Sequence, residues 1–138
     1  MYRYQFVAHT ADVSALLEAD SREELFLAAL LSMNEVLRED FCNEDQTPGI
    51  KKTVEVRSMD TTTLLIDFLS AVLMHSYLER ALFCRLKVEA LTDNHLKARI
   101  FGNPVDYFAD DIKAVTYHGA EVTLDGNGKW TTPVVFDI

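Results

Sequence analysis

His9-Thr10-Ala11-Asp12 gathers an imidazole, a hydroxyl and a carboxylate within four residues, and the chain ends on Asp137-Ile138, where a carboxylate side chain is followed by the terminal carboxylate. Oxygen-rich sets of this kind suit hard cations such as Ca²⁺ and Mg²⁺, which take carboxylate and carbonyl oxygens. In a closing strand Phe136 and Ile138 fall on one face and Asp137 on the other. Asp137 and the Ile138 carboxylate would then supply part of a cation site that Asp12 completes. A strand that stays apolar to its last residue is not expected to fray. Spacing alone leaves a second reading open, in which His9 and Asp12 are solvated turn residues and Asp137 is a hydrated end.

The segment Ile112-Lys113-Ala114-Val115-Thr116-Tyr117-His118 sets one lysine in an apolar strand. Lys113 would neutralise a carboxylate cluster or hold a phosphate; equally, it is the solvent-facing residue of an alternating strand. His118, before Gly119, reads as an exposed loop end. His75 follows Met74 on a helix and His95 borders a turn, so both read as structural. The chain has no Gly-rich phosphate loop, no Ser-His-Asp arrangement and no zinc-spaced Cys/His set.

The elements that must position these residues follow from periodicity. Thr10 to Ala19 predicts a strand with Val13, Ala15, Leu17 and Ala19 on one face, although Leu16 breaks the alternation. Ser21-Arg22-Glu23-Glu24 is a capping box, in which the Ser21 hydroxyl and Glu24 carboxylate satisfy each other's free backbone N–H groups. Leu25, Ala28, Ala29, Met33, Val36 and Leu37 then recur at helical spacing. Phe41 to Lys52 lacks periodicity and predicts a solvated loop. Val54 and Val56 mark a short strand, and Asp60 or Thr61 caps a second, more buried helix lined by Leu65, Phe68, Leu69, Val72 and Leu73.

From Ala81 the pattern turns to strands. Leu82 to Leu91 and His95 to Phe101 flank the hairpin connection Thr92-Asp93-Asn94. Gly102-Asn103-Pro104 is expected to open an irregular segment, and strand character resumes from Ile112 to Tyr117. Val122-Thr123-Leu124 and Trp130 to Ile138 flank Asp125-Gly126-Asn127-Gly128, a turn tolerant of positive φ. The order predicts one α+β domain over residues 1–138, with two helices packed on one face of a largely antiparallel β-sheet.

At 138 residues and 49% hydrophobic, the chain can build one substantial core. Thirteen Lys and Arg against 22 Asp and Glu give a net charge of −9, the wrong sign for gripping phosphate backbones. Direct nucleic-acid binding is therefore not expected; cations or a basic protein surface are the natural partners. Cys42 and Cys84 form no CxxC pair and are expected to be buried, reduced thiols. The start of the chain lacks an apolar leader, and Asp67 interrupts the apolar stretch Leu64–Leu73, so a soluble, cytoplasmic protein with no membrane contact is expected.

Four segments in order, His9-Thr10-Ala11-Asp12, Ser21-Arg22-Glu23-Glu24-Leu25-Phe26, Ile112–His118 and Val134-Val135-Phe136-Asp137-Ile138, resemble the archease family over nearly the whole chain. The resemblance implies an α+β accessory protein, not itself an enzyme, that promotes guanylylation and multiple turnover of an RtcB-type RNA ligase in tRNA splicing or RNA repair. It implies a divalent metal, Ca²⁺ or Mg²⁺, held by Asp12, Asp137 and the Ile138 carboxylate, with Lys113, His9 and Thr10 beside it. This chain departs from the family pattern at Ala8, where an Asp is common, at Ser14, where a Gly is common, and in a shorter segment from Gly102 to Asp111. The same carboxylates would also serve a stand-alone metal-dependent phosphoesterase, or a chaperone or interaction module whose metal is structural.

Overall fold

A computed structural model describes residues 1–7, 12–43 and 46–138. Along them run β1 (Tyr2–Val7), β2 (Asp12–Ala19), α1 (Arg22–Leu37), a 3-10 turn (Phe41–Asn43), β3 (Ile50–Arg57), α2 (Thr61–Glu79), β4 (Ala81–Leu91), β5 (His95–Pro104), β6 (Ala114–Thr116), β7 (Thr123–Leu124) and β8 (Trp130–Asp137). The α+β class holds, with every strand pairing antiparallel. The strands divide between two sheets, however: β1-β2-β8-β6 with β7 also on β8, and β3-β5-β4. α1 packs on β1, β2 and β8 and also on β4, while α2 packs on all of the second sheet and on β6. Both helices thus serve both sheets, and residues from each join one core. Alternation identifies the buried face of a strand but carries no information about which strand it pairs with.

The helix starts follow local chemistry. The Ser21 hydroxyl accepts the Glu24 N–H at 3.1 Å, but the Glu24 carboxylate turns to the Met1 amine, so only half of the expected reciprocal cap forms. Leu25, Ala28, Ala29, Met33 and Leu37 are fully buried, as their spacing predicts. Asp60 caps α2 by accepting the Thr63 N–H at 2.8 Å, and that bond holds its carboxyl below the usual carboxylate range. α2 is long and apolar enough in length and composition to cross a membrane, yet Leu64, Leu65, Ile66, Phe68, Leu69 and Val72 are all fully buried in the core.

Several local expectations are corrected. Ile50-Lys51-Lys52 belongs to β3, and Phe41 is buried in the 3-10 turn, so the loop between them is shorter than polarity suggested. β5 continues through Gly102-Asn103-Pro104 without becoming irregular. A Cβ at Gly102 would stand 2.3 Å from the Leu82 backbone oxygen, so glycine is there for close approach to β4 and not for a turn. β6 keeps only Ala114–Thr116 of the wider strand expected. β1 is an additional edge strand, whose Tyr2 and Phe6 stay 39% exposed.

Cys42 and Cys84 are not free thiols; they form a disulfide with Cα atoms 5.4 Å apart. The β4–β5 register slips between Phe83 and Arg85, so Cys84 is the extra residue of a β-bulge. Released from the ladder, it meets Cys42 in the 3-10 turn. The sequence shows Cys84 amid apolar residues but not this bulge.

Candidate functional site

The two ends of the chain meet because β2 and β8 are neighbours. Their register pairs Asp12 with Asp137 and Val13 with Phe136. Directly opposite residues share a face, so the fully buried Phe136 marks the core side and both aspartates belong to the side turned away from it. β6 flanks β8 on its other edge, with Ala114 opposite Asp137, and the Lys113 N–H donates to the Asp137 backbone oxygen at 2.7 Å. Asp12 and Asp137 therefore stand in adjacent strands at one end of the sheet, with Lys113 immediately before the third. Ile138 is half-buried and packs on the core, which keeps the chain close to the sheet up to its final residue.

Two carboxylates directly opposite one another repel and destabilise a sheet unless a cation lies between them. Among the described residues neither aspartate has an ion pair, and Lys113 is exposed and also unpaired. The donor set fits a hard cation in kind, being oxygen only. In number it is small: among the described residues no group of three or more His, Cys, Asp and Glu side chains is placed to hold a metal. His9, Thr10 and Ala8 lie outside the described residues. Ser14 lies on the same side of β2 as Asp12 and is 7% exposed.

α2 fixes the Lys113 segment from behind. The Tyr77 hydroxyl donates to the Ile112 backbone oxygen at 2.7 Å, and Ile112 itself is buried. The Tyr77 phenol pKa is pushed up to about 12, first by burial and then by the neighbouring Asp111 carboxylate. The ring stacks edge-on against Phe108 at 5.2 Å, tying the 102–111 segment to the same support. His118 is exposed, as expected. His95 bonds Glu55 at 2.7 Å across β3 and β5, a structural role.

At this end of the sheet, but on the α1 side and so on the opposite face from the two aspartates, a recess of about 320 Å³ is lined by Phe6, Val13, Glu35, Glu39 and Asp110. Sequence reading missed these three acids. Glu35 and Glu39 are four residues apart at the end of α1, a spacing that was visible, but Asp110 joins them only because the Ala109 N–H bonds the Leu37 backbone oxygen at 2.7 Å. A larger groove of about 490 Å³ lies on the first sheet, lined by Arg3, Gln5, Leu16, Glu18, Thr131 and Pro133. It contains neither aspartate.

Fold and site together define an α+β protein with two opposed, half-buried aspartates at one end of a sheet. The profile of the Archease protein family matches residues 4–138. Protein archease of Methanosarcina mazei is 31% identical over 144 residues, spanning 99% of this chain and 96% of that protein. Protein archease of Pyrococcus abyssi is 29% identical over 145 residues, covering both chains fully. The solution structure of Methanobacterium thermoautotrophicum protein 1598 superposes with a TM-score of 0.78 at 27% identity, over 98% of each chain. A Thermotoga maritima archease, described as a possible chaperone, shares the fold with a TM-score of 0.64 at 23% identity, over 96% of this chain and 94% of that one. The chain belongs to the archease family.

Proposed function

We propose that this chain is a metal-binding accessory factor that promotes guanylylation and multiple turnover of an RtcB-type RNA ligase, acting in the cytoplasm in tRNA splicing or RNA repair. The observation that supports the reading is the register that sets Asp12 opposite Asp137 at one end of the sheet. Asp12, Asp137 and the Ile138 carboxylate would hold one divalent cation. Mg²⁺ commonly binds one or two carboxylates and keeps several waters, which suits a site this sparse; Ca²⁺ would need further oxygens. When bound, the cation supplies a fixed positive charge at the sheet end. The protein's own contribution is to hold the two carboxylates in register, and to hold Lys113 beside them through Tyr77 and Ile112.

The acidic recess rimmed by Glu35, Glu39 and Asp110 gives this end a charge that would steer it to a basic partner, as a ligase built to bind RNA and GTP must be. The test is a ligation assay with Asp12→Asn and Asp137→Asn. Each variant is expected to abolish stimulation of repeated turnover while the ligase's unassisted first turnover stays intact. Full stimulation by both variants would remove the reading.

The competing reading is an interaction module with a structural metal, in keeping with the description of the Thermotoga maritima protein as a possible chaperone. It requires that the same substitutions lower the metal-dependent melting temperature while partner stimulation stays proportional to folded protein.

A further inference from the structure

The overall charge of −9 averages over a very uneven surface. In the second sheet β5 runs between β3 and β4, and Val54, Leu96, Ala98 and Ile100 turn inward and are buried. The register places the alternating residues on the opposite, solvent face. There stand Lys51, Arg57, Arg85, Lys87, Lys97 and Arg99, six of the chain's 13 Lys and Arg. Among the described residues of these three strands only two acids share the face: Glu55, which pairs with Arg57 and His95, and Glu89, which pairs with Arg99. The strand residues of this face thus carry a formal charge of +4 in a chain whose net charge is −9.

Two rows across this face point to its ligand. Lys87 stands directly opposite Arg99; Glu89 already binds the guanidinium at 2.6 Å, so Lys87 is the cation of this row left for an outside anion among the described residues. One row along, Phe101 lies between Lys51 and Arg85. Phe101 is half-buried on the rim of a recess of about 310 Å³ that Arg85 and Asn103 also line. Among the described residues Lys51, Lys87 and Lys97 have no ion pair.

From this arrangement we infer that the outer face of β3-β5-β4 binds single-stranded RNA, the cations tracking phosphates and Phe101 offering a ring on which a base stacks. An aromatic bracketed by cations on an open sheet is suited to splayed bases and a phosphate backbone. A duplex presents its bases stacked and would leave Phe101 unused, and an acidic peptide would use the cations alone. The chain's excess of acids over bases would disfavour a strand of RNA elsewhere by repulsion. The expectation of no nucleic-acid contact followed from net charge, which the segregation of charge between faces makes a poor guide. The inference stands apart from the ligase reading, because it concerns the purified chain alone.

Fluorescence anisotropy with a labelled oligoadenosine RNA tests it. Affinity is expected to fall with salt at a log–log slope of about −3 to −4, the value for five or so neutralised phosphates on a single strand. Lys87→Glu with Lys97→Glu should weaken binding by about tenfold or more, whereas Arg3→Glu with Arg80→Glu, equal in charge change but off the face, should weaken it far less. Phe101→Leu should weaken oligoadenosine binding and leave binding of inorganic polyphosphate unchanged. Melting curves confirm that each variant is folded. No salt-dependent binding by the wild-type chain, equal losses in the two charge-reversal pairs, or equally tight binding of polyglutamate would each overturn the inference.

Discussion

The Tyr77 hydroxyl on α2 donates to the backbone oxygen of Ile112, so a core helix sets the position of the lysine that follows. Lys113 then bonds Asp137 through its backbone, and the last strand is registered against the first half of the chain by way of the helix between them. The same hydroxyl offers a titration that reports on this support. Its folded pKa, about 12, is raised from a reference of 10.0. A raised value favours the neutral folded form, so its contribution is complete below about pH 10 and is lost as pH climbs towards about 12. Denaturant unfolding above about pH 9 should therefore show a steeper loss of stability in the wild type than in Tyr77→Phe, whose own cost at neutral pH is about 1 kcal/mol for the lost hydrogen bond. Parallel pH profiles would show that Tyr77 is not held as described.

The opposed aspartates make a second prediction, on stability alone. Without divalent metal, Asp12→Asn or Asp137→Asn removes a like-charge pair and should raise stability by about 0.2–1 kcal/mol. With Mg²⁺ or Ca²⁺ present the order should reverse, since only the wild type gains the free energy of binding. Thermal melts with and without each cation read both halves. A wild-type melting temperature indifferent to both cations would count against a cation between the two carboxylates.

The Cys42–Cys84 bridge closes a loop with a sequence separation of 42. Loop-closure entropy makes such a bridge worth about 2–4 kcal/mol. Adding a dithiol reductant should shift the denaturation midpoint down accordingly, and Cys42→Ser with Cys84→Ser should be insensitive to reductant. Alkylation of thiols in intact cells, followed by mass measurement, reports how much of the bridge survives in a reducing compartment.

Much of the fold was legible, for identifiable reasons. Helices announced themselves through Ser21, Asp60 and the apolar spacing behind them, and the hairpins through Thr92-Asp93-Asn94 and Asp125-Gly126-Asn127-Gly128. These are local signals, written in contiguous residues. Pairing between distant strands is not local, so the partition into two sheets and the meeting of Cys42 with Cys84 could not be read. Gly102 misled because glycine marks both turns and close contacts, and only the nearby Leu82 oxygen separates the two. At the candidate site, Asp12 and Asp137 carried a chemical signal at the chain ends. Asp110 and the sheet face around Phe101 carried none until strands were set side by side.

The bulge at Cys84 has an effect on counting. Before it, the register sets odd-numbered Phe83 opposite Gly102, on the face of the buried Ile100 and Ala98, although Leu82 is buried as well; after it, odd-numbered Arg85 and Lys87 stand opposite Phe101 and Arg99 on the solvent face and Leu86 turns in opposite Ile100. One unpaired residue thus inverts the parity of the strand until a second slip, between Val88 and Ala90, restores it. Deleting it would put the two halves of β4 in phase and drive two cations towards α2, so a single extra position both supplies a sulfur and decides which side of the sheet carries charge.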